Sequence, residues 1–215
     1  MSEQDARFWD KAARKYAASP IADEAGFERT LARTRAFIPS GARALELGCG
    51  TGTAALRLAD AAVSYLATDI SARMIAIAQE KLAKARENGP NGRLSFRQAT
   101  ASTLVRENAR YDVVIGFNYL HLAGNPAVVL NDIRTLLAPG GIFISKTPCV
   151  GEMNVLIRLV IPLMHLVGKA PSSVTSFSAA SLDEAISTAG FAVLENERHG
   201  SKKRDIRPFI VARAL

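Results

Sequence analysis

The sequence is poor in cysteine. Only two of its 215 residues are cysteines, Cys49 and Cys149, and they lie far apart in the chain. No CxxC pair and no cluster of cysteine with histidine occurs, which argues against a disulfide scaffold and against a zinc site. We therefore expect a reduced, cytoplasmic protein that holds no metal ion.

A long apolar run is also missing. The most apolar stretch, residues 155–167, is interrupted by Arg158, Pro162 and His165, whereas a membrane-spanning helix needs about 20 mostly apolar residues. The first five residues are polar and acidic, where a secretory signal would be basic and then apolar. We expect neither a transmembrane segment nor a signal peptide.

Acidic residues are fewer than basic residues in this sequence. The chain has 20 Asp and Glu against 27 Lys and Arg, a net charge of +7. Much of the excess lies at residues 198–213, which hold six basic residues and one acidic residue. Between His199 and Arg207 there is no Phe, Tyr or Trp on which a base could stack, so we expect no nucleic-acid partner. Contact with anionic lipid headgroups stays open.

Apolar runs and helical patterns alternate through the middle of the chain. The expected strands are Ala44–Leu47, Tyr65–Thr68, Leu94–Phe96, Val113–Phe117 and Ile142–Ser145. The expected helices between them are Thr53–Ala61, Ala72–Glu87 and Pro126–Leu137. Two late strands, Phe191–Asn196 and Ile206–Ala212, have no helix between them. The pattern predicts an α/β fold: a doubly wound, mostly parallel seven-stranded sheet that ends in an antiparallel strand pair.

Two helices are predicted before this alternation begins. Ser2 and Asp5 have the spacing of a capping box, and Asp23 can cap the second helix. Trp9 and Tyr16 belong to the apolar stripe of the first helix. This stripe either packs against the sheet or closes over a site.

Three glycines follow the first strand at alternate positions. The run Glu46-Leu47-Gly48-Cys49-Gly50-Thr51-Gly52 leads from a strand into a helix, where glycine permits positive φ and close approach of a ligand. Thr53 stands where the dinucleotide pattern GxGxxG has its third glycine. The Glu46 carboxylate would repel a pyrophosphate, so the run favours a cationic ligand.

An acidic residue, Asp69, ends the second strand. A carboxylate at this strand end can accept hydrogen bonds from both hydroxyls of a ribose. Nicotinamide enzymes share this spacing, so Asp69 indicates a nucleoside without choosing the cofactor. A helix cap beside Ser71 is the structural alternative.

The glycine run and Asp69 resemble the class I S-adenosylmethionine-dependent methyltransferases, and the small-molecule type 11 branch most closely. Tyr111-Asp112-Val113-Val114 resembles their fourth strand, and Leu136-Leu137-Ala138-Pro139-Gly140-Gly141 resembles the turn before their fifth. The similarity covers about residues 36–146 and the closing strand pair. It implies the Rossmann-like methyltransferase fold, with S-adenosylmethionine as cofactor and S-adenosylhomocysteine as product.

The resemblance also implies a set of cofactor-binding residues. These are Glu46, Gly48, Cys49, Gly50, Asp69, Ile70, Met74, Thr100, Ala101, Phe117 and Asn118. The glycine loop would surround the methionine part, Glu46 its amino end and Asp69 the ribose. Met74 is equally well explained as core, and Thr100 stands where the family usually has an acidic residue that contacts the adenine.

His121 is the candidate catalytic base, because it lies a few residues beyond the end of the fourth strand. Methyl transfer needs a base only for some acceptors, and a structural role at a helix start is the alternative. Nucleic-acid amino-methyltransferases typically carry an Asn/Asp-Pro-Pro-aromatic run near this position. Its absence argues against a DNA or RNA base as acceptor.

The segment after the fifth strand is expected to build the acceptor side. In residues 153–167 the residues that are not apolar, Asn154, Arg158, Pro162 and His165, share one helical stripe. Such a helix could cover an apolar pocket, rest on a membrane surface, contact a second subunit, or simply be buried. We therefore expect a small apolar or amphipathic acceptor and a monomer or homodimer.

One domain, residues 1–215, is the expected organisation. It comprises a helical lid (1–40), a cofactor-binding core (41–148), an acceptor-side insertion (149–180) and a closing helix with a strand pair (181–215). The predicted function is methyl transfer from S-adenosylmethionine to a small acceptor. A nicotinamide-dependent oxidoreductase and a non-catalytic binding subunit with the same fold are the alternatives.

Overall fold

The structure, a computed structural model, describes residues 2–87, 93–152, 171, 174–201 and 205–215. Two helices come first, α1 (Glu3–Ala18) and α2 (Glu24–Ala36). The capping box of Ser2 with Asp5 starts α1, and the Asp23 side chain accepts the backbone N–H of Gly26 at the start of α2. Both predicted caps are confirmed.

A seven-stranded sheet follows, in the order β3-β2-β1-β4-β5-β7-β6. Its strands are β1 (Arg43–Leu47), β2 (Ser64–Asp69), β3 (Leu94–Gln98), β4 (Tyr111–Phe117), β5 (Leu137–Lys146), β6 (Phe191–Arg198) and β7 (Pro208–Ala214). Strands β1 to β5 pair in parallel, and β7 is antiparallel to both β5 and β6. The predicted fold class is confirmed.

Within the described ranges, the remaining helices lie between the strands. They are α3 (Thr53–Leu58), α4 (Ala72–Glu87), α5 (Ala101–Arg106), α6 (Pro126–Leu136) and α7 (Ala179–Thr188). Short 3₁₀ turns occupy Ala59–Ala61, Leu120–Leu122 and Val150–Glu152. The predicted helix Ala72–Glu87 is found with the same bounds.

Three differences from the predicted elements have local causes. Helix α5 was not predicted, because it is only six residues long and the Thr100 side chain, not an apolar stripe, starts it. Strand β5 begins at Leu137, which pairs with Tyr111 of β4. A β-bulge then interrupts the pairing, which resumes where Ile142 pairs with Val113. Strand β7 begins two residues later than predicted, since the Ile206 carbonyl accepts the N–H of Cys149 instead of a ladder hydrogen bond.

Successive side chains of the central strands pack into two cores on opposite faces of the sheet. Ile144 of β5 and Val211 of β7 belong to the core under α2, α3 and α4. Their neighbours Phe143 and Ile210 belong to the core under α5, α6 and α7. Helices therefore cover both faces of the sheet, and the carboxyl ends of β1, β2, β4 and β5 lie together at one edge. The strand order reverses beside β1, and ligands of such sheets bind at the carboxyl edge near this point.

No helix within the described ranges is long and apolar enough to cross a membrane. The helix expected at residues 153–167, with its polar stripe, lies outside the described residues. The basic turn at residues 202–204 lies outside them as well. Predictions about those two segments stay predictions.

Candidate active site

The glycine loop connects β1 to α3 at the carboxyl edge of the sheet. Gly48 has φ of 69° and Gly50 has φ of 54°, values that only glycine adopts easily. A Cβ on Gly48 would lie 2.6 Å from the Tyr119 ring, so a side chain at this position would collide with its neighbour. The Cys49 N–H donates to the Thr68 carbonyl at 2.9 Å and ties the loop to the end of β2.

Asp69 is held in a fixed orientation at the end of β2. Its Oδ2 accepts the Gly50 N–H at 2.9 Å, and its Oδ1 accepts the Ser71 N–H at 2.8 Å. Burial raises the pKa of this carboxyl, while the backbone hydrogen bonds act in the opposite direction. Each carboxylate oxygen can still accept a further hydrogen bond. Asp69 is thus both a link to the start of α4 and a potential ligand-binding group.

Glu46 is the second acidic residue of this edge, and only 2% of it is exposed. The Tyr65 hydroxyl donates to its Oε2 at 2.8 Å. Burial raises the pKa of Glu46 to about 7, with a smaller contribution from the Asp69 charge. A bound cation would favour the ionised form of this carboxyl.

Two cavities adjoin at the glycine loop. The first has a volume of about 290 Å³ and the second about 200 Å³. Of the residues that the structure describes, four line both cavities: Tyr16, Gly48, Phe117 and Asn118. Asn118 has φ of 51°, rare for a residue with a side chain, and its N–H donates to the Lys146 carbonyl at 2.7 Å. The backbone after β4 is therefore bent where the two cavities meet.

The predicted site residues divide between these cavities. Glu46 and Cys49 line the first cavity, together with Thr51 and Thr53 at the start of α3. The second cavity is lined by Gly50, Asp69, Ile70, Met74, Tyr119, His121 and Leu122, with Trp9 from α1. Nine of the eleven residues that the resemblance implies therefore line one or both of these adjoining cavities.

Thr100 and Ala101 are not among the residues that line either cavity. The Thr100 hydroxyl accepts the Thr103 N–H at 3.2 Å and caps α5. Ala101 is buried, with 2% of its surface exposed. The adenine contacts expected of these two residues stay predictions.

His121 lies in the short turn after β4 and lines the second cavity. Its Nδ1 is buried and has no hydrogen-bond partner among the described residues. Burial lowers the pKa of His121 to about 4, so the imidazole is neutral at pH 7. An unpaired buried nitrogen is costly, and a ligand in this cavity could satisfy it.

Helix α1 covers the second cavity. The Asp10 Oδ1 accepts the Ser71 hydroxyl at 2.6 Å and the Arg73 N–H at 3.0 Å, which ties α1 to the start of α4. On the same helix, the Trp9 and Tyr16 rings meet edge to face at 6.3 Å. This position fits the expected lid, and the lid role itself stays a prediction.

Lys146 is a cavity residue that the sequence analysis missed. It ends β5, lines the first cavity and is 8% exposed. The available signal was its place at a strand end, the same signal that singled out Asp69. Lysine at a strand end is common, whereas burial of its ammonium group is visible only in the fold.

The site suits the chemical groups of S-adenosylmethionine. The second cavity offers an oriented carboxylate for ribose hydroxyls and the side chains of Ile70 and Met74 for an adenine face. The first cavity offers Glu46 for a cationic amino group. Because the two cavities meet at the glycine loop, a ligand with a nucleoside at one end and an amino acid at the other fits them.

Comparison with known proteins agrees with this geometry. A family model described as a methyltransferase domain matches residues 45–143. The ubiquinone biosynthesis O-methyltransferase of Roseobacter denitrificans is 31% identical over 132 residues, which are 61% of this chain and 50% of that protein. The demethylmenaquinone methyltransferase of Leptospira interrogans is 35% identical over 105 residues, 47% of this chain and 41% of that protein. The chain thus spans about half the length, or less, of these curated relatives.

Solved structures share the fold over nearly the whole chain. The DhpI–S-adenosylhomocysteine complex has a TM-score of 0.72 at 20% identity and covers 99% of this chain and 96% of its own. Magnesium protoporphyrin IX methyltransferase from Synechocystis, with bound S-adenosylhomocysteine, has a TM-score of 0.69 at 17% identity, with coverage of 98% and 96%. At these identities the similarity concerns the fold.

The expected class is confirmed, with S-adenosylmethionine as its cofactor. The narrower assignment to the type 11 branch stays a prediction. The methyltransferase-domain match at residues 45–143, the sheet topology and the glycine loop together support a class I S-adenosylmethionine-dependent methyltransferase.

Proposed function

We propose that this protein transfers a methyl group from S-adenosylmethionine to a small acceptor molecule. The observation that carries the proposal is the placement of two buried carboxylates, Asp69 and Glu46, on two cavities that meet at the glycine loop. A cofactor with a positively charged sulfonium and an ammonium group matches that charge.

Each side of the site has a proposed part in binding. Asp69 accepts hydrogen bonds from the ribose hydroxyls, and Ile70 packs against the adenine. The backbone of Gly48 and Gly50 borders the methionine part, whose amino end lies toward Glu46. When bound, the cofactor supplies a methyl group that forms a bond to the acceptor atom as its bond to sulfur breaks, and the electron pair of that bond goes to sulfur.

The protein contributes alignment and exclusion of water. Phe117 and Asn118 line both cavities and border the place where methyl donor and acceptor meet, with Tyr16 above them. Correct alignment of two reactants can lower a barrier by about 7–11 kcal/mol. The bent backbone after β4 and the helix α1, which Asp10 ties to the start of α4, are features suited to such alignment.

We propose a hydroxyl group on an amphipathic molecule as the acceptor. The curated relatives at 30–31% identity are named as O-methyltransferases, which favours oxygen over nitrogen or carbon. The first cavity has apolar walls, from Pro20, Ile21 and Phe27, beside its charged residues. An acceptor with an apolar body and one polar end matches this lining.

His121 is proposed to contact the acceptor or the cofactor in the second cavity. With a pKa of about 4, its imidazole is a weak base at pH 7. Its unpaired Nδ1 is better suited to accept a hydrogen bond from a hydroxyl, and so to orient it, than to remove its proton.

A reduced, cytoplasmic setting is also proposed. Both cysteines, Cys49 and Cys149, are unpaired and buried, as is usual for proteins that do not meet an oxidising compartment. A small-molecule acceptor is proposed in preference to a nucleic acid, since the segment after β4 has no Pro-Pro-aromatic run.

Calorimetric titration with S-adenosylhomocysteine tests the proposal. Asp69→Asn should lower the affinity about 10-fold or more, because hydrogen bonds to a charged group contribute about 1.5–3 kcal/mol. The matched control is Asp60→Asn, since Asp60 is exposed and pairs only with Arg35 among the described residues. Titration of the wild type with NADH examines the nicotinamide alternative.

Two results would contradict the proposal. One is that the wild type shows no binding at millimolar S-adenosylhomocysteine. The other is that NADH binds and S-adenosylhomocysteine does not. Incubation with methyl-labelled cofactor and an extract of small metabolites then separates an enzyme, which labels a product, from a binding subunit, which labels none.

A further inference from the structure

Lys146 places a second buried charge, opposite in sign to Glu46, in the first cavity. The two side chains point to the same face of the sheet, as the strand registers show. Glu46 pairs with Ile115 of β4, which pairs with Ile144 of β5, so Lys146 is two residues further along. Two strand spacings of about 5 Å and two steps of about 3.3 Å separate the residues. The charges therefore stand on different walls of one cavity.

The hydrogen bonds of Lys146 leave part of its ammonium group unused. The Nζ donates to the Thr30 hydroxyl at 2.7 Å. That hydroxyl in turn donates to the Gly26 carbonyl at 2.8 Å. An ammonium group has three N–H donors, and among the described residues no other hydrogen bond from Nζ is found.

No salt bridge to Lys146 Nζ is found among the described residues. Arg207, the other basic residue of the cavity, pairs with Asp205. Asp23 also lines the cavity, and its oxygens accept the N–H groups of Gly26 and Ser201. Burial lowers the pKa of Lys146, while the charges of Asp205 and Asp23 raise it by less. These two carboxylates therefore offset only part of the cost of burying the ammonium group.

A buried ammonium group that no carboxylate contacts carries a desolvation cost, whereas an apolar residue of similar size carries none. A lysine that only supported α2 through Thr30 would gain one hydrogen bond for that cost. The position of Lys146 beside the ends of β4 and β5 offers another explanation, since its charge borders the space where ligands of this fold bind.

We propose that Lys146 is the anion-binding residue of the first cavity, where its ammonium group receives a carboxylate or phenolate oxygen of a bound ligand. The inference rests on the proposed function. Two ligands can bring such an oxygen: the amino-acid end of the cofactor, or an acceptor whose hydroxyl has ionised. In the second case the hydroxyl proton has passed to water, and Lys146 would stabilise the oxyanion, which bonds to the methyl carbon as the bond from that carbon to sulfur breaks.

The first arm of the test compares S-adenosylmethionine with its decarboxylated form, which lacks only the carboxylate. Both are titrated calorimetrically into the wild type and into Lys146→Gln, which keeps a donor for Thr30 and loses the charge. If the cofactor supplies the anion, the variant loses about 10-fold or more in affinity for the complete cofactor. Its affinity for the decarboxylated form changes less than twofold.

The second arm uses 4-nitrophenol, whose anion is yellow, in the presence of S-adenosylhomocysteine. If the acceptor supplies the anion, bound 4-nitrophenol ionises at lower pH on the wild type than in water, and Lys146→Gln abolishes the shift. The neutral ether 4-nitroanisole is the ligand control and should bind both proteins equally. Lys146→Arg should restore the preference for the anion, and Lys11→Met, an exposed change on α1, should leave it as in the wild type.

An effect in either arm supports the proposal and identifies the source of the anion. If Lys146→Gln changes neither ligand pair, or weakens the two members equally in both pairs, the proposal is wrong. If the variant does not fold, the wild type alone still tests the proposal. Equal affinity of the wild type for the charged and the uncharged member of both ligand pairs would show that the proposal is wrong. Failure of the proposed function is separate, since the wild type would then bind no S-adenosylhomocysteine.

Discussion

At the scale of single residues, Glu46 shows how burial and ligand charge are linked. Its carboxyl is buried beside Tyr65, where ionisation is costly, so its pKa of about 7 lies above the ordinary 4.5. A cation in the first cavity would offset that cost. The same carboxyl therefore destabilises the ligand-free protein and helps to hold the cofactor.

The pH dependence of unfolding tests this account of Glu46. Between pH 4.5 and 7 the folded chain keeps a proton at Glu46 that the unfolded chain has lost. The free energy of unfolding therefore falls as pH rises through this window, by about 3 kcal/mol from this group. Glu46→Gln removes that contribution. The free energy of unfolding of the variant, relative to that of the wild type, should therefore increase by about 2–3 kcal/mol from pH 5 to pH 8. Urea unfolding at both pH values measures it, and an unchanged difference would contradict it.

Asp69 and His121 illustrate what residue patterns can and cannot predict. Asp69 could be predicted, because a carboxylate at the end of the second strand has a fixed relation to the glycine loop. The unpaired Nδ1 of His121 and the buried ammonium of Lys146 could not. Both depend on which side chains surround them in three dimensions, and a sequence gives no burial for an isolated polar residue.

At the scale of elements, predictability followed the strength of the periodic signal. Helix α4 has a clear stripe over 16 residues and was predicted with its observed bounds. Helix α5 has six residues and depends on a cap formed by Thr100, so periodicity could not indicate it. The bulge at the start of β5 follows from the Pro-Gly-Gly turn, in which Gly140 has φ of 73°. The turn was recognised, but the pairing of Leu137 before it needs the partner strand.

Helix α1 provides a prediction at this scale. Asp10→Ala removes both hydrogen bonds that tie α1 to the start of α4. We expect amide hydrogen exchange in residues 3–18 to become about 10-fold faster, since two hydrogen bonds of about 1 kcal/mol are lost. S-adenosylhomocysteine should also bind a few-fold more weakly, because α1 covers the second cavity.

Glu3→Ala is the control for that experiment, since its ion pair with Arg7 on the same helix is exposed. It should leave both exchange and affinity close to wild type. Equal exchange in Asp10→Ala and the wild type would show that α1 is held by its apolar contacts alone.

At the scale of the whole molecule, the sheet brings together residues that are far apart in sequence. Glu46, Asp69, Asn118 and Lys146 come from four strand ends and share one edge because β1, β2, β4 and β5 run in parallel. The topology could be predicted from the alternation of strands and helices. The division of the site into two cavities could not, because it depends on how α1 and α2 lie across that edge.

The net charge of +7 has a limited role at this scale. The groups proposed to hold the cationic parts of the cofactor are the carboxylates Glu46 and Asp69, and Lys146 is the basic residue proposed to bind a ligand. Arg33 on α2 pairs with Glu195 on β6, so this basic residue is balanced and joins α2 to the closing strand pair. The net charge is therefore a property of the molecular surface. The proposed function depends on the residues at the carboxyl edge of the sheet.

A crystal structure of the protein with S-adenosylhomocysteine tests the proposed binding mode. The adenosine should lie in the second cavity, with ribose hydroxyls within about 3.2 Å of the Asp69 carboxylate. The amino-acid end should lie in the first cavity, on the side of Glu46. A ligand bound elsewhere, or a ribose that does not contact Asp69, would contradict this binding mode.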